Sequence, residues 1–150
     1  MRTRWTGAVH VPGADRPTID PTSAPYWEAA REGRLLIAAC GACGRNHHYP
    51  RPMCPFCWSD QVEPIEASGH GRLYTYSVIH ANDLPPFRGR LPYIAALVEL
   101  AEGPRLITTI EGATPDELVL DMAVTAVFRP LDPDEPDGAH LTVFTPTRLR

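Results

Sequence analysis

The sequence predicts a mainly β chain: a short N-terminal helix, a small metal-bound ribbon, then a five-stranded barrel. Two Cys-x-x-Cys pairs near residues 40 and 54 predict the ribbon. Five short apolar or alternating runs after residue 67, each ended by a turn signal, predict the barrel. Among 150 residues, 17 prolines and 11 glycines cluster between the apolar runs, which means many turns and few long helices. A chain this long buries about 70% of its unfolded surface, enough for a modest core. The expected division is an arm and helix over 1–36, the ribbon over 37–66 and the barrel over 67–150.

Residues 1–20 show no clear periodicity and read as an irregular arm. Pro21 to Arg34 predicts a short helix. Thr22 or Ser23 can cap it, Pro25 suits the first turn, and Tyr26, Trp27, Ala30 and Arg34 fall roughly on one side. A helix this short is marginal alone. It must lie on the rest of the chain or on a partner, with Tyr26 and Trp27 as its anchor. Leu35 to Ala38 is then a short apolar strand entering the first cysteine pair.

Cys40-Gly41-Ala42-Cys43 and Cys54-Pro55-Phe56-Cys57 contain all four cysteines of the chain. A two-residue gap turns both thiolates of a pair towards one point. Two such pairs offer four soft ligands in a tetrahedron, which suits Zn²⁺. Iron in a redox site needs the same ligands, so spacing leaves it open. Zinc is favoured because nothing else in the chain suggests an electron-transfer partner. Two disulfides would need an oxidising compartment, and Met1 to Thr6 leads into prolines, not an apolar signal segment. Four thiolates fill zinc's coordination sphere and leave no position for water or substrate, so the ion is structural. Gly44 can take the positive φ that turns backbone amides towards the sulfurs. Trp58 stands at the matching place after the second pair, so that turn is expected to close differently. His47 and His48 are expected on the surface of the intervening hairpin.

From Gly69 the pattern changes to strands. Arg72 to His80 alternates with β-branched and aromatic residues, and Tyr93 to Leu100 reads as a more buried strand. Glu102-Gly103-Pro104 turns into its hairpin partner, Arg105 to Ile110. Thr114-Pro115-Asp116-Glu117 is a capping box with proline at the first helical position, which places one helical turn next. Met122 to Phe128 and His140 to Thr145 are the last two strands, on either side of an acidic loop at 132–138. Five short antiparallel strands with a helical turn between the third and fourth fit the small Greek-key barrel called the OB-fold. A meander sandwich has the same strand count.

A net charge of -4 and a pI near 5.8 speak against a dedicated nucleic-acid binder. The competing single-strand reading rests on Tyr74, Tyr76, Arg72 and Arg105 as stacking and backbone contacts. No apolar run approaches the roughly 20 residues of a membrane span, so a soluble, cytoplasmic protein is expected. All 14 basic residues are arginine, which excludes Schiff-base chemistry by a lysine. The four serines (Ser23, Ser59, Ser68, Ser77) lack a nucleophile-elbow context, and no phosphate-cradling glycine loop occurs. His80 is the one histidine considered for proton transfer, and without a placed carboxylate a structural hydrogen bond is the stronger reading. Nothing makes a positive case for catalysis. The 82–91 loop joins the first two barrel strands, an edge such barrels use for binding. There Arg88 and Arg90 flank Gly89 as two guanidinium forks for phosphates or partner carboxylates, and Phe87 can stack or plug a pocket.

Tyr26-Trp27-Glu28, Glu32-Gly33-Arg34-Leu35-Leu36, the two cysteine pairs and Pro50-Arg51-Pro52 stand in the first half of the chain. Gly71 to His80, Pro92-Tyr93, Ala96 to Leu100 and Glu102 to Leu106 follow in the second. This ordered series, over about residues 20–146, resembles the bacterial and archaeal family that joins a rubredoxin-like zinc ribbon to an OB-fold and is associated with acyl-CoA enzymes. It departs from the family pattern at Trp58, where a small residue is expected, and at Asp121, where glycine is common. The resemblance implies a non-catalytic accessory subunit for a thiolase-like enzyme, a lipid-transfer-protein-like aldolase or a hot-dog hydratase. Its OB-fold would dock on that partner and shape the passage of the acyl-CoA. One structural Zn²⁺ on Cys40, Cys43, Cys54 and Cys57 is expected, with partner or ligand contacts at Phe87, Arg88, Arg90, Tyr26 and Trp27.

Overall fold

The structure, a computed structural model, describes residues 16–84 and 87–147; the expected N-terminal arm lies outside them up to residue 15. Helix α1 (Ala24–Arg31) is shorter at both ends than the apolar pattern suggests. Pro25 lies in its first turn as expected, but Ser23, at the N-cap position, makes no capping bond with its side chain. Asp20 organises the entry instead: its Oδ1 accepts the amides of Thr22 at 3.0 Å and Ser23 at 2.7 Å. The helix stops where Gly33 takes φ 76°. The Gly33 amide then reaches the Ala30 carbonyl at 3.1 Å, and the Arg34 amide reaches that of Ala29 at 2.8 Å.

After α1 comes a three-stranded antiparallel sheet, ordered β2-β1-β3, from β1 (Leu35–Cys40), β2 (Asn46–His47) and β3 (Val62–Ala67). The β1–β3 ladder runs from Leu35 opposite Ala67 to Cys40 opposite Val62. In sequence β3 is illegible as a strand, because Pro64, Glu63 and Glu66 break its apolar alternation. Pro64 is tolerated because β3 is an edge strand.

Five strands follow: β4 (His70–Ile79), β5 (Tyr93–Leu100), β6 (Arg105–Ile110), β7 (Ala123–Pro130) and β8 (His140–Pro146). They close a barrel in the order β4-β5-β6-β8-β7, with β4 pairing β7 at the seam. That is the OB-fold order, not a sandwich. The expectation of wholly antiparallel strands needs one correction. β6 meets β8 in parallel at Ile110 and Phe144, where the Glu111 amide donates to the Phe144 carbonyl at 2.9 Å. Parallel neighbours need a crossover, and here the short helical turn Pro115–Glu117 followed by β7 supplies it.

One core serves both halves. Ile94, Ala96, Val98 and Leu100 alternate inwards on β5, as do Leu106, Thr108 and Ile110 on β6. Leu73, Val124 and Phe144 are fully enclosed, and Tyr26, Leu35, Ile37 and Ala67 from the helix and ribbon sheet join the same cluster. Each fully buried side chain of this size contributes about 1.5–3 kcal/mol. Buried Thr108 is satisfied by donating Oγ1–H to the Thr142 carbonyl at 3.0 Å. Tyr26 Oη and Thr142 Oγ1 share a 3.2 Å hydrogen bond, so α1 is pinned to β8. Glu102, in the β5–β6 turn, clamps the ribbon to the barrel. Its Oε1 accepts the Ser68 amide at 2.7 Å, and its carbonyl accepts Asn46 Nδ2–H at 3.1 Å.

Candidate metal centre and the adjoining cleft

The loop after β1 and the loop before β3 bring the four cysteine sulfurs within 4.8 Å of one another. Cys40 Sγ and Cys57 Sγ are 3.6 Å apart, and Cys43 Sγ and Cys54 Sγ are 3.7 Å apart. A tetrahedron of sulfurs about 2.3 Å from zinc has edges of about 3.8 Å, so this donor set fits one Zn²⁺. Cys40 and Cys54 are buried, whereas Cys43 and Cys57 are exposed. Burial acts against the Cys54 thiolate, but the amides of Phe56 and Cys57 and the nearby thiols outweigh it and bring the thiol down to about 7. The Ser59 amide favours the Cys57 thiolate, yet burial and the three neighbouring sulfurs prevail and push it up to about 12. Four negative sulfurs in so small a volume repel one another, and a divalent cation removes that conflict.

The two cysteine loops close alike, which corrects the expectation for Trp58. The Gly44 amide returns to the Cys40 carbonyl at 2.8 Å, and the Trp58 amide returns to the Cys54 carbonyl at 3.0 Å. Both residues sit in the left-handed region, at φ 71° for Gly44 and 62° for Trp58. A bulky aromatic is strained there, and its indole is displayed rather than packed: Trp58 is 73% exposed. Asp121, the other departure from the family pattern, likewise adopts the conformation a glycine would, at φ 68°.

His47 and His48 also need correction. Far from being surface residues, His47 is 4% exposed and His48 is half-buried against Tyr26, with ring centroids 5.5 Å apart. Burial, and then the nearby His47, lower the His48 pKa to about 4. Between pH 6.5 and 4 the unfolded chain therefore takes up a proton that the folded chain refuses. Stability is expected to be full above pH 6.5 and to fall by up to about 3 kcal/mol as pH drops towards 4. His48→Gln should flatten that slope in melts recorded between pH 7.5 and 4.5; an unchanged slope would assign it to other groups.

His47 and His48 line a cleft of about 230 Å³ that also touches Arg51, Phe56, Pro104 and Arg105, between the second cysteine loop and the β5–β6 turn. Three exposed apolar side chains, Met53, Phe56 and Trp58, surround the second cysteine pair. Neither the cleft nor this patch is singled out by motif. The one signal in sequence was a tryptophan where its counterpart is a glycine.

The structure distributes the other candidates unevenly. Tyr26 lies inside the fold, where its ring meets Trp27 edge-on at 5.3 Å, and Trp27 is partly buried against the core. The 82–91 loop is not the open turn expected: Phe87–Arg90 forms a short 3-10 turn. Arg90 does not project from it. Its guanidinium lies 5.9 Å over the Phe87 ring, which packs in turn on Tyr93 at 6.0 Å. Arg88 is the exposed guanidinium of the pair. His80 is exposed just beyond β4, with no carboxylate bonded to it among the described residues. The side chains proposed to grip a single strand are engaged within the chain. Arg72 donates to the Asp121 carbonyl and carboxylate, and Arg105 stacks on Tyr74 at 3.6 Å while bonding Glu99 at 2.7 Å. Among the described residues no helix is long and apolar enough to cross a membrane.

Comparison with known proteins finds two family models that match side by side. The ChsH2 rubredoxin-like zinc ribbon domain covers residues 27–63, and the ChsH2 C-terminal OB-fold domain covers residues 64–129. A probable enoyl-CoA hydratase alpha subunit of Thermomonospora curvata is 40% identical over 131 residues, which is 87% of this chain and 39% of that protein. The chain therefore spans well under half the length of that relative. A DUF35 domain-containing scaffold protein of Methanocaldococcus jannaschii is 37% identical over 114 residues, covering 75% of this chain and 80% of the relative. A solved structure described as the Ltp2-ChsH2(DUF35) aldolase superposes with a TM-score of 0.73 at 40% identity, over 87% of this chain and 98% of that one.

Proposed function

Because the chain belongs to the ChsH2-type (DUF35) family of rubredoxin-like zinc ribbon and OB-fold proteins, we propose that it is a non-catalytic accessory subunit. It docks on a thiolase-like or hydratase enzyme that processes acyl-CoA and helps to hold or channel the thioester. The observation that carries this reading is the match, over 98% of its length, to a chain of the Ltp2-ChsH2(DUF35) aldolase. Cys40, Cys43, Cys54 and Cys57 hold the zinc, and with four sulfurs bound it has no open position at which to activate water or substrate. The ion's work is to fold the ribbon.

Docking relies on side chains that the fold leaves available. Arg88 offers a guanidinium to a partner carboxylate or a thioester phosphate, Phe87 and Arg90 shape the turn that presents it, and partly buried Trp27 offers its open face on α1, which buried Tyr26 anchors. Co-expression with the thiolase-like or hydratase subunit from the same host should give a stable complex in gel filtration, and acyl-CoA turnover should need both proteins. Arg88→Ala should weaken that complex about three- to tenfold, as rim charges do, with Tm unchanged. Turnover by the chain alone would refute the accessory role; equal affinity of the Arg88 variant would remove only the loop assignment.

A further inference from the structure

The ribbon–barrel cleft contains a buried imidazole with an unused atom. His47 is 4% exposed, and its Nδ1 lies 3.0 Å from the Tyr49 carbonyl. A carbonyl only accepts, so Nδ1 carries the proton and Nε2 presents a bare lone pair. That Nε2 is buried and has no hydrogen-bond partner among the described residues, and the same holds for Nε2 of His48. Buried polar atoms are seldom left so, and each instance needs a reason.

The rest of the cleft supplies positive charge. Arg51 is exposed at its mouth with no acidic partner among the described residues. Arg105 gives Nε–H to Glu99 and stacks on the Tyr74 ring, so only the outer edge of its guanidinium remains to meet an anion. Burial keeps the neighbouring His48 neutral near pH 7. Phe56 and Pro104 provide apolar walls. A carboxylate would satisfy the guanidinium groups but has no hydrogen to give Nε2. A hydrogen phosphate, or a phosphate monoester carrying one proton, has both charged oxygens and a P–O–H.

We propose that this cleft binds a phosphate group, with Arg51 and Arg105 on its charged oxygens and His47 Nε2 accepting its hydroxyl hydrogen. Hydrogen phosphate dianion already carries that hydrogen and binds without proton uptake, whereas a monoester dianion carries none and binds with uptake of one proton. The titratable and charged groups lining the cleft with His47 are His48, Arg51 and Arg105; Glu99 is bonded to Arg105, Arg45 lies over Phe56, and Glu102 holds Asn46 through its carbonyl. Free phosphate and a phosphate ester share this chemistry, and the apolar walls distinguish them by the organic part they can cover. The inference does not depend on the accessory-subunit reading.

Calorimetry on the zinc-loaded protein near pH 8, in two buffers of different ionisation enthalpy, tests it with inorganic phosphate, phenyl phosphate and acetate at matched ionic strength. Phosphate is expected to bind at least tenfold more tightly than acetate without proton uptake, and phenyl phosphate to bind with uptake of one proton. Tighter binding of phenyl phosphate would assign the site to an ester, and weaker binding would assign it to the free ion. Arg51→Ala, an exposed change, should lower phosphate affinity about tenfold, whereas Arg31→Ala, on α1, should leave it unaltered. His47→Gln, scored only after its zinc content and Tm match the parent, should abolish the proton uptake. No heat with either phosphate, equal affinity for acetate, or unaltered affinity in Arg51→Ala overturns the proposal.

Discussion

A Cys54→Ser chain is expected to lose its zinc and the fold of residues 41–61 while the barrel stays structured. The physical reason is how little else holds that segment. Between the cysteine pairs only His47 is buried, and β2 is two residues long. Zinc binding worth on the order of 10 kcal/mol or more is therefore the main term that orders it. Without the ion, one thiol is pushed up to about 12 by burial and its neighbours, so the empty site disfavours the charges it needs. The β1–β3 ladder is different. Leu35, Ile37 and Ala67 at its far end belong to the barrel's core and do not need the metal. Hydrogen exchange should thus show protection lost over 41–61 and retained in β5, β6 and β8. The barrel itself should melt several degrees lower, because the Asn46–Glu102 bond and the His48–Tyr26 contact go with the ribbon. Full zinc content with unaltered melting in the variant would end the structural assignment of the ion.

Much of this architecture is legible in sequence, and what is not has identifiable causes. The cysteine pairs are legible because a two-residue gap has one geometric use. Strands β5 and β6 are legible because Ile94 to Leu100 and Leu106 to Ile110 alternate as a half-buried sheet must. By contrast, β3 hides behind Pro64 and its glutamates, since an edge strand tolerates residues that a central strand rejects. The parallel β6–β8 pairing hides because strand pattern carries no information about direction. His47 and His48 read as surface because histidine is polar, and only tertiary packing against Tyr26 and the β5–β6 turn buries them. At Trp58 the propensity for glycine at positive φ was the right principle but not decisive. The closing hydrogen bond of the loop outweighs the strain, and an exposed indole loses nothing by being held there.

Gly71→Ala is expected to damage the barrel more than any other glycine-to-alanine change outside the turns. Gly71 is where β4 is paired on both sides, opposite Leu100 of β5 and Val124 of β7, so the strand has no freedom to step away. A Cβ built there would lie 2.7 Å from the Glu99 carbonyl oxygen and 2.7 Å from Val98 Cγ1. The valine could rotate; the carbonyl is fixed by the ladder. Relief requires opening the β4–β5 register beside enclosed Val98 and Leu73, and overpacking of this kind costs about 1–3 kcal/mol, or more where backbone must move. A loss of about 3 kcal/mol corresponds to a fall in Tm of roughly 10 °C in a chain of this size. Gly41→Ala is the matched control, because its Cβ would meet nothing closer than 3.6 Å and should shift Tm little. Zinc content separates the two halves of the molecule: the Gly71 variant should keep one equivalent while its barrel loosens, the reverse of Cys54→Ser. An unshifted Tm in Gly71→Ala would mean that β4 can yield at its doubly paired point, and the rigidity attributed to the barrel seam would have to be withdrawn.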